Sequence, residues 1–317
     1  MDKLVTTVPE ELSGRRLDQV LAGLYPQHSR SRLQAWINAG LVRVNNRILR
    51  QKDRVKTGEF IEITPVFDDQ AECQPEDIPL DIVYEDGEIL VINKPPGLVV
   101  HPGAGNPDHT LQNALLFHDP ELTKIPRAGI IQRLDKDTSG IMVIARTPET
   151  HTYLVDQLQR RLIKREYQAI VTGVITAGGK IEAPIGRHPV FRKRMAVTGN
   201  GKPAVTHYRV LKKYRHYTHI HVRLETGRTH QIRVHMAHIH YPVTGDPVYG
   251  GRNRLPKNAS AQLREAIQSF PRQALHASAL TLVHPVSGEE MTWTVPLPED
   301  IRSLLGVIEK DEIYVAE

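Results

Sequence analysis

Residues 128–147 read AGIIQRLDKDTSGIMVIART. Two apolar runs, Gly129–Ile131 and Ile141–Ala145, flank a gap holding Arg133, Asp135, Lys136 and Asp137, followed by Thr138-Ser139-Gly140. The β-branched residues in both runs predict two core strands joined by a sharp polar connection. Loops carried by a rigid sheet are where catalytic groups tend to lie. Arg133 and Asp135 are two apart, so in extended backbone they face the same side, where a guanidinium favours the charged form of a carboxylate. An ordinary surface turn with a local ion pair accounts for the same spacing.

Strand-like runs continue on both sides. IVYEDGEILVINK, YQAIVTGVI, KIEAPI, AVTHYRVLKKY, YTHIHVRLETG, ALTLVHP and MTWTVPL are bounded by Gly, Pro, Asp or Asn. Helical periodicity is clearest in LQNALLFH, ETHTYLVDQLQRRL and SAQLREAIQSF. Strands come in runs rather than alternating with helices, which predicts an α+β domain with a largely antiparallel mixed sheet over residues 81–317.

Residues 1–66 read as a small separate unit. Between Glu11 and Thr64 there are ten Lys/Arg against five Asp/Glu, a basic balance. Leu17, Val20, Leu21 and Leu24 mark one helix; Ser29 or Ser31 can cap a second, which carries Leu33, Trp36 and Ile37 and ends at Gly40. LVRVNNRILR predicts a hairpin about Asn45-Asn46, and EFIEIT a further strand. Pro65–Glu88 then holds nine Asp/Glu and no Lys/Arg, and residues 67–80 are expected to form an acidic, proline-containing linker.

The chain has 317 residues, 40% hydrophobic and 24% charged, with a formal charge of +5. These values suit a globular protein with a real core and a polyanionic partner. The single cysteine allows neither an internal disulfide nor a cysteine-built zinc site. No apolar run reaches a membrane-spanning length and the first residues lack a secretory apolar region, so a cytoplasmic protein with no membrane association is expected. A monomer is the default expectation. The Walker pattern and G-x-G-x-x-G are absent around NKPPGLVVHPGAGN, which argues against a nucleoside triphosphate.

Two further clusters carry candidate chemistry. LETGRTHQIRVH crowds Arg228, His230, Arg233 and His235 behind Gly227, with Thr226 or Thr229 able to cap a following helix. Arginine at a helix start makes sense mainly with an anionic partner, either a phosphate or an aspartate from the first cluster; a solvated basic turn accounts for the same residues. His235, His238 and His240 match no zinc motif, so packed or RNA-facing histidines are expected and no metal. RHPVFRKRMAV surrounds Phe191 with Arg187, Arg192, Lys193 and Arg194, which suits a loop gripping nucleic-acid backbone as well as a solvated one.

Taken together, NKPPGLVVHPG, RLDKDTSG, REYQA, LETGRTHQIRVHMAH and DPVYGG, in that order, resemble the signature of the RluA-type pseudouridine synthases. The first unit resembles an S4 RNA-binding domain, so the likeness covers nearly the whole chain. It implies a cofactor-free isomerase converting uridine to pseudouridine in a stem-loop of large-subunit (23S) ribosomal RNA, working on an everted base. It places the catalytic aspartate on Asp135, the active-site tyrosine on Tyr167 and the basic partner on Arg233. Ile232 falls on the residue contacting the base, and Arg133 on the arginine that occupies the gap a displaced base leaves. Arg192, Lys193 and Arg194 are expected to bind substrate, and Arg15, Arg16, Arg30, Arg32, Arg43 and Arg47 to bind RNA through the S4 unit. Relatives usually read His-Arg-Leu-Asp where this chain has Gln132, a departure that bears on local hydrogen bonding or on a contact to RNA. A non-catalytic RNA-binding assembly factor on the same fold is the alternative reading.

Overall fold

The computed structural model describes residues 3–25, 30–64, 73–103, 105–192, 194–250, 255–256 and 258–313. The chain divides into two compact units, Met1–Glu72 and Cys73–Glu317.

In the first unit, β1 (Leu4–Thr7) precedes α1 (Leu17–Leu24), α2 (Arg30–Asn38), β2 (Val42–Val44) and β3 (Phe60–Ile63). The strands form an antiparallel sheet in the order β1-β3-β2. The predicted apolar stripes face it: Leu17, Val20, Leu21, Leu33, Trp36 and Ile37 are buried with Val42, Val44, Ile61 and Ile63. Asn45 and Asn46 (φ 48° and 65°) make the expected tight turn, closed by paired Val44 and Arg47 backbone bonds of 2.8 and 2.9 Å. The hairpin stops there. β2 pairs instead with β3, where Ile61 and Ile63 offer apolar partners that the exposed Ile48 does not.

Of the expected linker, residues 67–72 lie outside the described residues. Residues 73–80 belong to the second unit. Cys73 and Leu80 pack on its core, Asn113 Nδ2 donates to Gln74 O at 2.7 Å, and Glu76 N donates to Asn113 O at 3.1 Å. Their composition disfavours a helix, yet a buried amide supplies the partners that extended backbone needs.

The second unit contains β4 (Ile82–Glu85), β5 (Ile89–Lys94), α3 (Leu111–His118), β6 (Ser139–Ala145), α4 (Pro148–Gln159) and β7 (Lys164–Thr172). There follow β8 (Gly179–Glu182), β9 (Ile185–Arg187), β10 (Met195–Val197), β11 (Val205–Lys213), β12 (Tyr217–Leu224) and α5 (Gln231–His238). The chain closes with α6 (Ala261–Ser269), β13 (Leu275–Val283), β14 (Glu290–Thr294) and α7 (Glu299–Ile313). Among the described residues nine strands form one sheet, β4-β5-β6-β13-β7-β12-β11-β8, with β14 beside β13. Among the described strands only β6 and β13 run parallel, so the sheet is mixed and largely antiparallel, in an α+β domain.

One element departs from expectation at the decisive place. GIIQRLD is not a strand. Arg127, Ala128 and Gly129 are successive left-handed residues (φ 57°, 50° and 76°), a conformation that breaks extended pairing, and only Ile130 bridges to Ile144. Residues 131–138 are a loop that enters β6 directly. There Gly140 (φ 119°) lies so close to β13 that an added Cβ would sit 2.2 Å from Ala277 O, so a side chain at this junction would push the loop off the sheet.

Candidate active site

Asp135 stands on that loop, and buried polar groups hold the loop on both flanks. Lys94, fully buried at the end of β5, donates Nζ bonds to the carbonyls of Pro95, Leu98 and Lys136 at 2.7, 2.9 and 3.0 Å. Burial pushes its pKa down to about 7, against the opposing pull of nearby Asp137. On the far flank Gln273 Nε2 donates to Thr138 Oγ1 at 3.0 Å, and Arg272, paired with Asp300, donates to Asp137 O at 3.1 Å. Thr138 N donates back to Asp135 O at 3.0 Å, tightening the turn. Lys94→Met removes the donor to the Pro95 and Leu98 carbonyls, at about 1–3 kcal/mol each, while Lys136 O keeps its bond from Gly97 N. We expect a loss of about 2 kcal/mol or more in urea unfolding.

α5 supplies the cation opposite. Neither Thr226 nor Thr229 caps this helix; its N-cap is His230 in a left-handed conformation (φ 57°), whose side chain makes no capping bond to the helix. Gln231 does the anchoring instead. Its Oε1 accepts from Arg228 N and Thr226 Oγ1 at 2.9 and 2.8 Å, and its Nε2 donates to Val205 O and Thr206 Oγ1 at 2.9 and 3.0 Å. A buried amide with its partners met on both sides fixes a turn closely.

Arg233 then projects into the site. Its Nη1 donates to Asp135 Oδ2 at 2.8 Å, while Nε and Nη2 grip Asp246 Oδ2 and Oδ1 at 2.7 and 2.9 Å. Asp246 Oδ1 also accepts from Val248 N and Tyr249 N at 2.8 and 3.0 Å. Burial works against the Arg233 charge, but the bonds and fields of Asp246 and Asp135 outweigh it and raise the pKa. The Tyr249 ring lies 5.1 Å from the guanidinium carbon, and its hydroxyl sits 2.7 Å from His230 Nδ1. His230 Nε2 is 3.8 Å from Asp135 Oδ1, and burial lowers its pKa.

These groups open on a cavity of about 780 Å³, lined among others by Asp135, Tyr167, Ile232, Arg233, Arg165 and Leu275. The Asp135 side chain keeps 23% of its surface exposed, while that of Arg233 keeps 6%. The carboxylate is thus open to a ligand from one side and paired from the other. The Tyr167 phenol is buried, which raises its pKa, so it presents a neutral aromatic surface.

A protein of 57% identity over 304 residues, ribosomal large subunit pseudouridine synthase D of Pseudomonas aeruginosa, matches 96% of this chain and 95% of its own. The chain belongs to the RNA pseudouridylate synthase family. The Escherichia coli K12 protein of the same name is 54% identical over 310 residues, covering 98% of this chain and 95% of its own. The family signature for RNA pseudouridylate synthase falls on residues 88–238 and that of the S4 domain on residues 15–61. Human RNA pseudouridylate synthase domain containing 4 is a solved structure with 27% identity and a TM-score of 0.57, covering 72% of this chain and 92% of its own. This RNA pseudouridylate synthase is an isomerase with an N-terminal S4 domain.

The expected residues of the synthase distribute unevenly. Asp135, Tyr167, Ile232 and Arg233 meet in one cavity, which Arg133 and Gln132 also line. Arg133 does not pair with Asp135. Its guanidinium is exposed and Nη2 donates to Thr229 Oγ1 at 3.2 Å, because the loop is not the extended strand that aligns alternate side chains. Arg192 and Arg194 are exposed on the 188–194 loop outside the cavity lining, with Arg194 5.3 Å above the Phe191 ring. Lys193 lies outside the described residues. Arg15, Arg43 and Arg47 are exposed on the S4 unit, while Arg16 is engaged with buried Asp18 at 3.0 Å. The side chains of Arg30 and Arg32 lie outside the described residues. His235 is packed, with Nδ1 2.9 Å from Thr206 Oγ1 and Nε2 2.9 Å from Ala183 O.

Sequence reasoning placed His230 in a candidate cluster without a role, and missed Asp246, Tyr249 and Lys94 as parts of the synthase site. Asp246 and Tyr249 were in view within DPVYGG. A buried guanidinium has five donors, and Asp135 accepts too few of them, so a second carboxylate was to be sought.

Proposed function

We propose that this pseudouridine synthase isomerises uridines in a stem-loop of large-subunit ribosomal RNA, with Asp135 as the carboxylate acting at the sugar. The Asp135–Arg233 pair, 2.8 Å apart and facing a cavity that Tyr167 and Ile232 also line, carries this reading. The synthases of Pseudomonas aeruginosa and Escherichia coli, named for the ribosomal large subunit, support the substrate class. The synthase works as a monomer in the cytoplasm, where bacterial ribosomal RNA is made. Among the described residues no helix is long and apolar enough to cross a membrane.

Access comes first. Extruding a uridine costs a few kcal/mol, offset by phosphate contacts from Arg192, Lys193 and Arg194 and from the exposed arginines of the S4 unit. Arg133, at the cavity mouth, fills the gap in the RNA. Inside, Tyr167 and Ile232 sandwich the base. Asp135 then attacks C1′ or takes the C2′ proton; both routes use the same carboxylate. Arg233 holds it in place, and Asp246 holds Arg233.

Incubating the purified protein with large- and small-subunit ribosomal RNA separately, then mapping pseudouridine and assaying free uracil, tests this reading. Pseudouridine in the large-subunit RNA alone, with no uracil released, is the expected result. Released uracil identifies a hydrolase, and modification confined to the other RNA overturns the substrate class.

A further inference from the structure

Arg165 is a buried cation of the cavity lining that the scheme above leaves unused. It lies on β7 two residues before Tyr167, on the same buried face, and only 7% of it is exposed. Its cross-strand neighbours are Leu224 on β12 and Leu280 on β13, both buried and apolar. Its Nε is buried without a hydrogen-bond partner, and no carboxylate pairs with the guanidinium among the described residues. Gly227 makes room for it: a Cβ there would lie 2.7 Å from Arg165 Nη1. Arginine does not shed its proton in a protein. A buried unpaired cation is costly, by several kcal/mol before any compensation. Such a group persists where a ligand completes it.

We propose that Arg165 binds the everted uracil through its carbonyl oxygens and stabilises the negative charge that develops on the ring. The proposal rests on the uridine-isomerising reading above and deepens it. The two anionic features of an RNA substrate are its phosphodiesters and, transiently, the detached base. Phosphates are strongly hydrated and stay at the rim, where Arg133 is exposed. A flat uracil stacked on Tyr167 reaches the depth at which Arg165 sits. When the C1′–N1 bond breaks toward the base, its electron pair stays on the uracil ring and spreads over N1, O2 and O4. Two N–H donors from the guanidinium meet that charge. C5 then bonds to C1′ as the Asp135–C1′ bond breaks or, on the other route, as Asp135 returns the proton to C2′; the C5 proton leaves to solvent, and N1 takes up a proton. Substrate and product are isomers, and Arg165 keeps all its protons throughout. Its field at Tyr167 is part of the same arrangement, opposing the effect of burial on the phenol.

Arg165→Met distinguishes this role from a structural one and from a phosphate clamp. Removing an unpaired buried charge for an apolar group of similar size is neutral or stabilising, so the melting temperature is expected to hold or rise. The single-turnover rate on large-subunit RNA is expected to fall by about 100-fold, the loss seen when one preorganised donor to a developing anion is removed. RNA affinity and its salt slope are expected to stay as in the wild type. A lowered melting temperature makes the guanidinium structural and overturns the proposal. A loss confined to affinity, with a salt slope shallower by about one, makes it a phosphate contact and does the same, as does an unchanged rate. Wild-type protein assayed alongside separates the two readings: inactivity there strikes the substrate assignment and takes this proposal with it, whereas inactivity in R165M alone bears on Arg165.

Discussion

Asp135→Asn is expected to cut pseudouridine formation by about 10⁴-fold or more, the scale on which enzymes lose rate when the reacting group is removed, while RNA affinity stays within about twofold. The split follows from position. Asp135 faces the cavity with one side open, and its only ion-pair partners among the described residues are Arg233 and His230. The proposed phosphate contacts come from exposed arginines elsewhere, so binding is not expected to pass through this carboxylate. The amide keeps the size and one acceptor oxygen, and Arg233 stays locked to Asp246, so the fold is expected to survive. Single-turnover product mapping with filter binding on the same preparation checks both halves.

Arg233→Met carries the largest expected effect on stability. It leaves Asp246, whose side chain has no exposed surface, without its guanidinium. Breaking a buried pair by removing one partner costs about 3–5 kcal/mol, or roughly 10 °C in a unit of this size. Asp246 would keep only the Val248 and Tyr249 backbone donors. Adding Asp246→Asn removes the stranded charge, so the double variant is expected to regain most of the stability and none of the activity. Urea unfolding and product formation, measured on both variants, separate the structural half of the Asp246–Arg233–Asp135 chain from its chemical half.

How far the sequence could be read depends on the range of the interactions involved. Local patterns carried the S4 helices, because Leu17, Val20 and Leu21 repeat at helical spacing and are buried. They also carried most strands of the large sheet, where β-branched runs lie between turn residues. GIIQRLD defeated the same logic. Its composition is strand-like, but three left-handed residues before Ile130 turn the chain out of register, and composition does not report backbone sign at Arg127 or Ala128. α7 was legible and unread: Ile301, Leu304 and Ile308 repeat at helical spacing and are buried with Tyr217. Within the site, Asp135 and Arg233 were visible through the family signature. Lys94 was not, because a lysine buried under three carbonyls looks in sequence like any exposed one. Asp246 and Arg165 depend on contacts across the fold, the one completed by Arg233 and the other left uncompleted.

The central claim is that the carboxylate of residue 135 performs the isomerisation of large-subunit ribosomal uridines. Mapping pseudouridine in that RNA from cells lacking the gene, complemented with wild-type or D135N protein at equal abundance, tests it most directly. The account predicts sites that vanish with the gene, return with the wild type and stay absent with D135N. Their return with D135N would contradict it.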